Sequence, residues 1–254
     1  MAKKQTVSEK DNAKKQWINA FKEICESRSP WQVWSDVIVA ASCAVANKAG
    51  RGAPHFDERE NEYHECIDRL GGVKKPAELF AQFVMDLEEN PEQDFLGSMF
   101  MDLDLGSHWK GQFFTPYNLC RLMSNISLEG AVDEIERKGW CSINDPACGA
   151  GATLIAAANE MRKAGINFQN YALFVGQDID RVVGLMCYLQ MSMLGMPGYV
   201  VIGNTLTNPA TGRSTLFPNE KEGQEIWETP MFHSAVWDMR KRCNLMDMFL
   251  SGTR

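Results

Sequence analysis

Asp145, Gly149, Gly151, Asp178 and Asn204 are the residues whose types and spacing could do chemistry together. In Ser142–Thr153, Ser-Ile-Asn-Asp-Pro-Ala-Cys-Gly-Ala-Gly-Ala-Thr, a short β-prone run ends on Asp145 and passes through two glycines. It then opens into the helix-compatible run Leu154–Lys163. Glycines let a backbone approach a ligand closely, and the free N–H groups of a first helical turn point into the same space. An acid at the strand end would repel a pyrophosphate but suits a ligand that carries a cationic amino group. A second β-run, Ala172–Val175, leads into Gly176-Gln177-Asp178-Ile179-Asp180. A third, Tyr199–Ile202, leads into Gly203-Asn204-Thr205-Leu206. The separation of Asp145 and Asp178 suits an acid on the second strand that takes a ribose diol, the arrangement an adenosine-bearing cofactor needs.

Other constellations are weaker. His64-Glu65-Cys66 lies on a predicted helix, where adjacent residues point apart, so a metal site is not expected there. His55, His108 and His233 stand beside no serine or cysteine nucleophile pattern, and hydrolase chemistry has no support. The eight cysteines, with no C-x-x-C pair, read as reduced, buried thiols. The net charge of −7 gives no sign of nucleic-acid binding, although a local basic face or a basic partner would be invisible in the total. A 44% hydrophobic and 23% charged composition is that of a soluble globular chain. With no apolar leader at the N-terminus and no long apolar run, a cytoplasmic protein without a membrane span is expected.

The elements that position these residues follow from periodicity. Residues 1–15 are polar and lysine-rich and read as a frayed or extended start, with a short amphipathic helix from Trp17 to Cys25. Ser29-Pro30 starts a buried helix carrying Val33, Trp34, Val37, Ile38, Ala41, Ala44 and Val45. Residues 47–56 read as a loop. Helices follow over Arg59–Leu70, from Pro76 through Leu87, and around Phe95–Leu103. The first hundred or so residues therefore read as all-helical, with no catalytic constellation. At Gly106 the texture turns rich in glycine and aromatics. Thr115-Pro116 then caps a helix with Leu119, Leu122, Met123 and Ile126 on one face. Three β-units with intervening helices make an open α/β sheet whose ligand crevice lies along the C-terminal strand edge. The expected division is a helical N-terminal domain, 1–105, and a Rossmann-like domain, 106–254.

Four segments in order, Gly111-Gln112-Phe113-Phe114-Thr115-Pro116, Asp145-Pro146-Ala147-Cys148-Gly149-Ala150-Gly151, Gly176-Gln177-Asp178-Ile179-Asp180 and Gly203-Asn204-Thr205-Leu206, resemble the adenine-N6 DNA methyltransferases. The likeness is to the modification subunits of type I restriction systems and their small relatives on phages and mobile elements. It implies a Rossmann-like S-adenosylmethionine-dependent methyltransferase sheet, here truncated. It also implies S-adenosylmethionine as cofactor and adenine in DNA as substrate, with in-line attack of the adenine amino group on the methyl. In the family's pattern, Thr115 and the Phe113-Phe114 pair sit at the methionine carboxylate and Asp145 at the amino group, while Ala147 and Gly149 allow close backbone approach. Asp178 takes the ribose hydroxyls and Ile179 packs on the adenine. Asn204, where the family has aspartate, and Leu206 complete the adenine end, the Asn204 carboxamide oxygen accepting from the adenine amino group.

The family's base-binding tetrad, Asn-Pro-Pro-aromatic, is absent. Asn208-Pro209 follows the third strand too closely to belong to a fourth. Glu225–Phe232 keeps the β-run and an X-Pro-X-Phe skeleton, which makes Thr229, Pro230 and Phe232 the degenerate candidates for that site. The stretch after Ile202 leaves room for one more strand and the helix-compatible run Ala235–Leu250, with no target-recognition domain. The resemblance thus implies a DNA-reading specificity partner and is compatible with a homo- or hetero-oligomer. The competing expectation is a catalytically inactive cofactor-binding module, a regulator or anti-restriction mimic. A nicotinamide-dependent Rossmann enzyme is disfavoured by the Asp-Pro-Ala-Cys-Gly turn.

Overall fold

The computed structural model describes residues 2–26, 28–48, 54–105, 114–210 and 215–251, with the backbone alone for 2–13 and 247–251. The chain divides into two compact units, Met1–Phe114 and Thr115–Arg254, so the division falls later than the expected 105/106.

In the first unit the described elements are helices α1 (Ala2–Cys25), α2 (Pro30–Asn47), α3 (Phe56–Leu70), α4 (Lys74–Glu89) and α5 (Phe95–Asp102). The start expected to be frayed is instead continuous with α1: Ala, Lys, Gln and Glu are good helix formers, so a polar segment can extend a helix anchored further on. Trp17 and Phe21 on that anchor are buried and stack at 5.8 Å, Trp34 meets both edge-on, and the Trp17 indole donates to the Leu79 carbonyl at 3.2 Å. The α3 helix stops where the sequence predicts, at Gly71, whose φ of 79° is the left-handed cap that glycine adopts freely.

The second unit is α/β. Helix α6 (Tyr117–Lys138) leads into β1 (Cys141–Asp145), and α7 (Ala152–Lys163) and the short α8 (Phe168–Tyr171) lead to β2 (Ala172–Asp178). Helix α9 (Arg181–Met193) leads to β3 (Gly198–Ile202), then come β4 (Glu225–Glu228), a 3-10 turn (Pro230–His233) and α10 (Ala235–Ser251). The four-stranded sheet has the order β1-β2-β3-β4. β1, β2 and β3 are mutually parallel, with Asp145 beside Gly176 and Asp178 beside Ile202. β4 is antiparallel to β3, Tyr199 facing Glu228 and Ile202 facing Glu225. β2 and β3 read as near-continuous apolar runs because helices or loops cover both faces.

On one face α9 lies so close to β3 that a Cβ on Gly184 would come within 2.4 Å of Ile202 Cδ1. The other face carries Leu173, Val175, Tyr199, Val201, Leu216, Phe232 and Trp237 as one buried cluster. Each of its large side chains contributes roughly 1.5–3 kcal/mol by leaving water. The guanidinium of Arg181 in α9 holds both oxygens of Glu225 in β4, at 2.7 and 2.9 Å, bracing the antiparallel strand.

Candidate functional site

The C-terminal edge of β1, β2 and β3 gathers most of the predicted residues. β1 ends on Asp145, whose Oδ1 accepts from the Ala147 N–H at 3.1 Å and starts the turn. Gly149 (φ 56°) and Gly151 (φ 98°) adopt left-handed backbone, which a side chain would strain. At Gly151 a Cβ would also lie 2.9 Å from the Cys187 sulfur, so glycine is required there twice over. Gly151 caps α7, which begins at Ala152, and Gln190 from α9 donates to the Ala150 carbonyl at 2.8 Å beneath the turn.

Asp178, at the end of β2, ties this turn to the next one. Its Oδ2 accepts from the Gly149 N–H at 3.0 Å and its Oδ1 from the Asp180 N–H at 2.9 Å. Burial raises its carboxyl above the ordinary value of 3.8, the two backbone hydrogen bonds oppose that, and neighbouring Asp180 and Asp145 add to it. Asp180 in turn caps α9, accepting from the Val183 N–H at 3.1 Å. Behind the turn the thiol of Cys148 is pushed well up by its contact with Cys187, by burial and by the nearby Asp178 and Asp145. It stays protonated and serves as packing.

The third contributor is the loop after β3. Asn204 and Leu206 reach the same edge, and Leu206 is 90% exposed, as Ile179 is 68% exposed after β2. Two exposed aliphatic side chains stand beside two acids and a glycine turn, a surface that a ligand with an apolar flat portion and polar ends would cover. The Asn204 oxygen, expected to receive an adenine amino group, accepts instead from the N–H groups of Leu206 (2.9 Å) and Thr207 (3.4 Å). It shapes the loop as an Asx turn.

Helix α6 starts at Tyr117 with Pro116 at the cap position, one residue later than expected, and no side chain caps it. Thr115 is exposed, and its carbonyl accepts from the Cys120 thiol at 3.7 Å. The ring of Phe114 lies 5.3 Å from that of Phe100 within the helical unit. Phe113 falls outside the described residues.

The candidates for base binding are corrected by the structure. β4 pairs with β3 on the side away from β1 and runs the opposite way, so Thr229 arrives at the N-terminal end of β3, across the sheet from Asp145. Thr229 is fully buried, its hydroxyl donating to the Met196 carbonyl at 2.8 Å and accepting from the Gly198 N–H at 3.1 Å. Phe232 is fully buried against Tyr199, with the Lys241 ammonium 3.6 Å from its ring centre. Pro230 opens the 3-10 turn that joins them. An antiparallel return puts a strand's end at the opposite edge from its parallel neighbours, and spacing along the sequence cannot reveal that sense. The predicted skeleton is a core corner.

Sequence reasoning missed Gln177. Its side chain is fully buried, donates to the carbonyls of Gly203 (3.2 Å) and Asn208 (2.9 Å), and accepts from the Thr205 hydroxyl (3.0 Å) and the Ala210 N–H (2.8 Å). Four bonds from one amide pin the loop that carries Asn204 and Leu206. The signal was an amide inside an otherwise apolar strand, which must find partners when buried.

The family model described as N-6 DNA Methylase matches residues 103–249. The chain belongs to this family. The match covers the strand–turn–helix series of the second unit as far as residue 249, so the acid-ended glycine turn lies within the region that the family model describes. One curated relative is the methylase subunit of the type I restriction enzyme MjaIX of Methanocaldococcus jannaschii. It is 25% identical over 131 residues, covering 52% of this chain and 20% of the subunit. The chain thus spans about a fifth of the length of that relative. Among the described residues no helix is long and apolar enough to cross a membrane.

Proposed function

We propose that this chain binds S-adenosylmethionine at the C-terminal edge of β1–β3 and takes part in methylating the N6 amino group of adenine in DNA, together with a partner that reads the target. The observation that carries the reading is the convergence of Asp145, the Gly149–Gly151 turn, Asp178, Ile179 and Leu206 on one edge of a parallel sheet in an N-6 DNA methylase. The donor set fits this cofactor. Asp145 carries negative charge for an amino group, and the Asp178 carboxylate has acceptor capacity beyond its two backbone bonds for a ribose diol. Ile179 and Leu206 offer apolar surface for an adenine. The turn leaves Ala147 exposed and Gly149 without a side chain, so backbone can lie against the ligand. Thr115, at the start of α6, is the candidate for the carboxylate end.

When bound, the cofactor supplies a methyl group on a positively charged sulfur. The chain's part is to hold and orient it. Asp145 and Asp178 hold the polar ends, the aliphatic pair shields the adenine from water, and Gln177 keeps the Leu206 loop in place. The same reading gives the protein a soluble, cytoplasmic setting alongside DNA, in a restriction–modification context. With Thr229 and Phe232 committed to the core, the groups that receive the target adenine come from outside the described edge.

Calorimetric titration with S-adenosylmethionine tests the first half of the reading. Saturable binding that Asp145→Ala abolishes supports it, and absence of binding overturns it. Tritium transfer from labelled cofactor to DNA tests the second half. Binding without transfer, with every neighbouring protein supplied, would leave a cofactor-binding module in place of a methyltransferase.

A further inference from the structure

We propose that Asn159 of α7 is a positioning residue for the carboxylate end of S-adenosylmethionine. It acts through its hydrogen bond to the Tyr117 hydroxyl, which seats the start of α6, and Thr115 with it, beside the glycine turn. The proposal rests on the cofactor reading above and deepens it by naming what sets that end of the site.

Helix α7 grows directly out of the turn, with Gly151 at its cap and Ala152 as its first residue. Ala152, Ala156 and Asn159, at i, i+4 and i+7, share one face of it. Tyr117, Cys120 and Ser124, at i, i+3 and i+7, share one face of α6. The two faces meet: fully buried Cys120 packs with Ala152 and Ala156, and Tyr117 lies against them. The opposite side of α6, carrying Leu119, Leu122, Met123 and Ile126, is exposed, so the first turns of this helix take their support from α7.

Three polar links cross the contact. Asn159 Nδ2 donates to the Tyr117 hydroxyl at 2.9 Å. The Thr153 hydroxyl, in the first turn of α7, donates to the Cys120 sulfur at 3.6 Å, and the Cys120 thiol donates to the Thr115 carbonyl at 3.7 Å. Arg121, a turn further along α6, reaches the buried Glu160 at 3.0 Å.

Placement and strength single out the first link. Sulfur donates and accepts only weakly. Glu160 is shared with Lys163 of its own helix, also at 3.0 Å, and Arg121 is 41% exposed at the side chain. Asn159 is buried, where an amide must find partners, and asparagine is a poor residue for a helix interior, so the bond to Tyr117 meets a need that propensity would not create. Tyr117 is the first residue of α6, and no side chain caps that helix. Pro116 holds φ at −54°, so little freedom separates the anchored Tyr117 from exposed Thr115. A bond that served the core alone would be felt in stability and nowhere else. A positioning bond is read in the ligand's carboxylate.

Calorimetry on the full chain with two ligands tests this: S-adenosylmethionine and its decarboxylated form, which keeps the adenosine, the sulfonium and the amino group. The unsubstituted chain should prefer S-adenosylmethionine by at least about tenfold. Asn159→Leu should erase that preference, weakening S-adenosylmethionine by at least about tenfold and leaving the decarboxylated form within about twofold of its original affinity. Tyr117→Phe removes the same bond from the other side and retains the ring. It should reproduce the effect, as should the two combined without adding to it, and it carries the test should Asn159→Leu fail to fold. Equal losses for both ligands, no loss for either, or losses that sum in the combined variant overturn the proposal. Equal affinity of the unsubstituted chain for the two ligands overturns it too and leaves cofactor binding standing. Absence of S-adenosylmethionine binding by that chain would instead defeat the function proposed above, and this inference with it.

Discussion

The two ends of the β2–β3 pair use similar residue types for opposite purposes. At the C-terminal end, Asp178, Asn204 and Gln177 organise backbone turns around exposed Ile179 and Leu206. At the N-terminal end, Thr229 and the aromatic residues Tyr199, Phe232 and Trp237 are sealed in the core. Polar and aromatic side chains close together in sequence are thus no guide to function until burial is known. What distinguishes the candidate site is apolar surface left in water beside acids whose hydrogen bonds go only to backbone.

The comparison is most easily broken by emptying the sealed end. Phe232→Ala should cost about 3–5 kcal/mol of stability, the usual cost of deleting a buried aromatic ring. It should leave the cofactor affinity of the folded fraction unchanged, which denaturant melts and calorimetry would show together. An equal loss of affinity would mean that the two ends are coupled.

Gln177→Leu sits between the ends and sharpens the contrast. It leaves the Ala210 N–H and the Gly203 carbonyl without their buried partner, for a loss of about 1–3 kcal/mol. Unlike Phe232→Ala, it should also lower cofactor affinity, because the Leu206 loop is released. Stability loss with unaltered affinity would remove Gln177 from the site.

Asp178→Asn should reduce cofactor affinity by about tenfold, roughly 1.4 kcal/mol, with a smaller effect on folding. Its pH signature follows from the raised carboxyl. In the free protein the ionised form is disfavoured by burial, so that destabilisation is fully present above the raised value. It disappears as pH falls through the raised value toward the ordinary 3.8. Binding runs the other way: affinity should fall on acidification, starting above the ordinary carboxylate range, and Asp178→Asn should flatten that step in a calorimetric pH series. The smallest effect is expected for Leu206→Ala, a few-fold loss of affinity with stability within about 0.5 kcal/mol, as befits a side chain already in water.

Much of the α/β layout was legible because its signals are local. β1 and β3 begin and end within a residue of their apolar runs, β2 continues three residues past Val175 to Asp178, and Ser29-Pro30 and Gly71 mark helix ends as expected. Asp145, Gly149, Asp178, Asn204 and Leu206 were brought to one edge because parallel strands share a C-terminal side. What was not legible depends on partners far away in sequence. The antiparallel sense of β4 decides where Thr229 goes, and its neighbour β3 lies across a long connection. The α6 stripe has the periodicity of a buried face, and periodicity cannot say whether anything covers it. The role of Asn204 turns on which donors, backbone N–H groups or a ligand's amino group, its carboxamide oxygen meets, a choice made by loop geometry.

The way β4 joins the sheet also bears on the order in which the unit can assemble. β1, α7, β2, α9 and β3 are consecutive neighbours, so each pairing closes a modest loop. β4 reaches β3 only after the stretch from Gly203 to Gln224 has been brought round. The Arg181–Glu225 clamp and the Thr229 hydroxyl then act as late fasteners on a three-stranded sheet that has already formed. Hydrogen exchange should therefore release the β3–β4 amides before those between β1 and β2, so that a partly open state sheds the core corner while the glycine turn and its two acids stay in place.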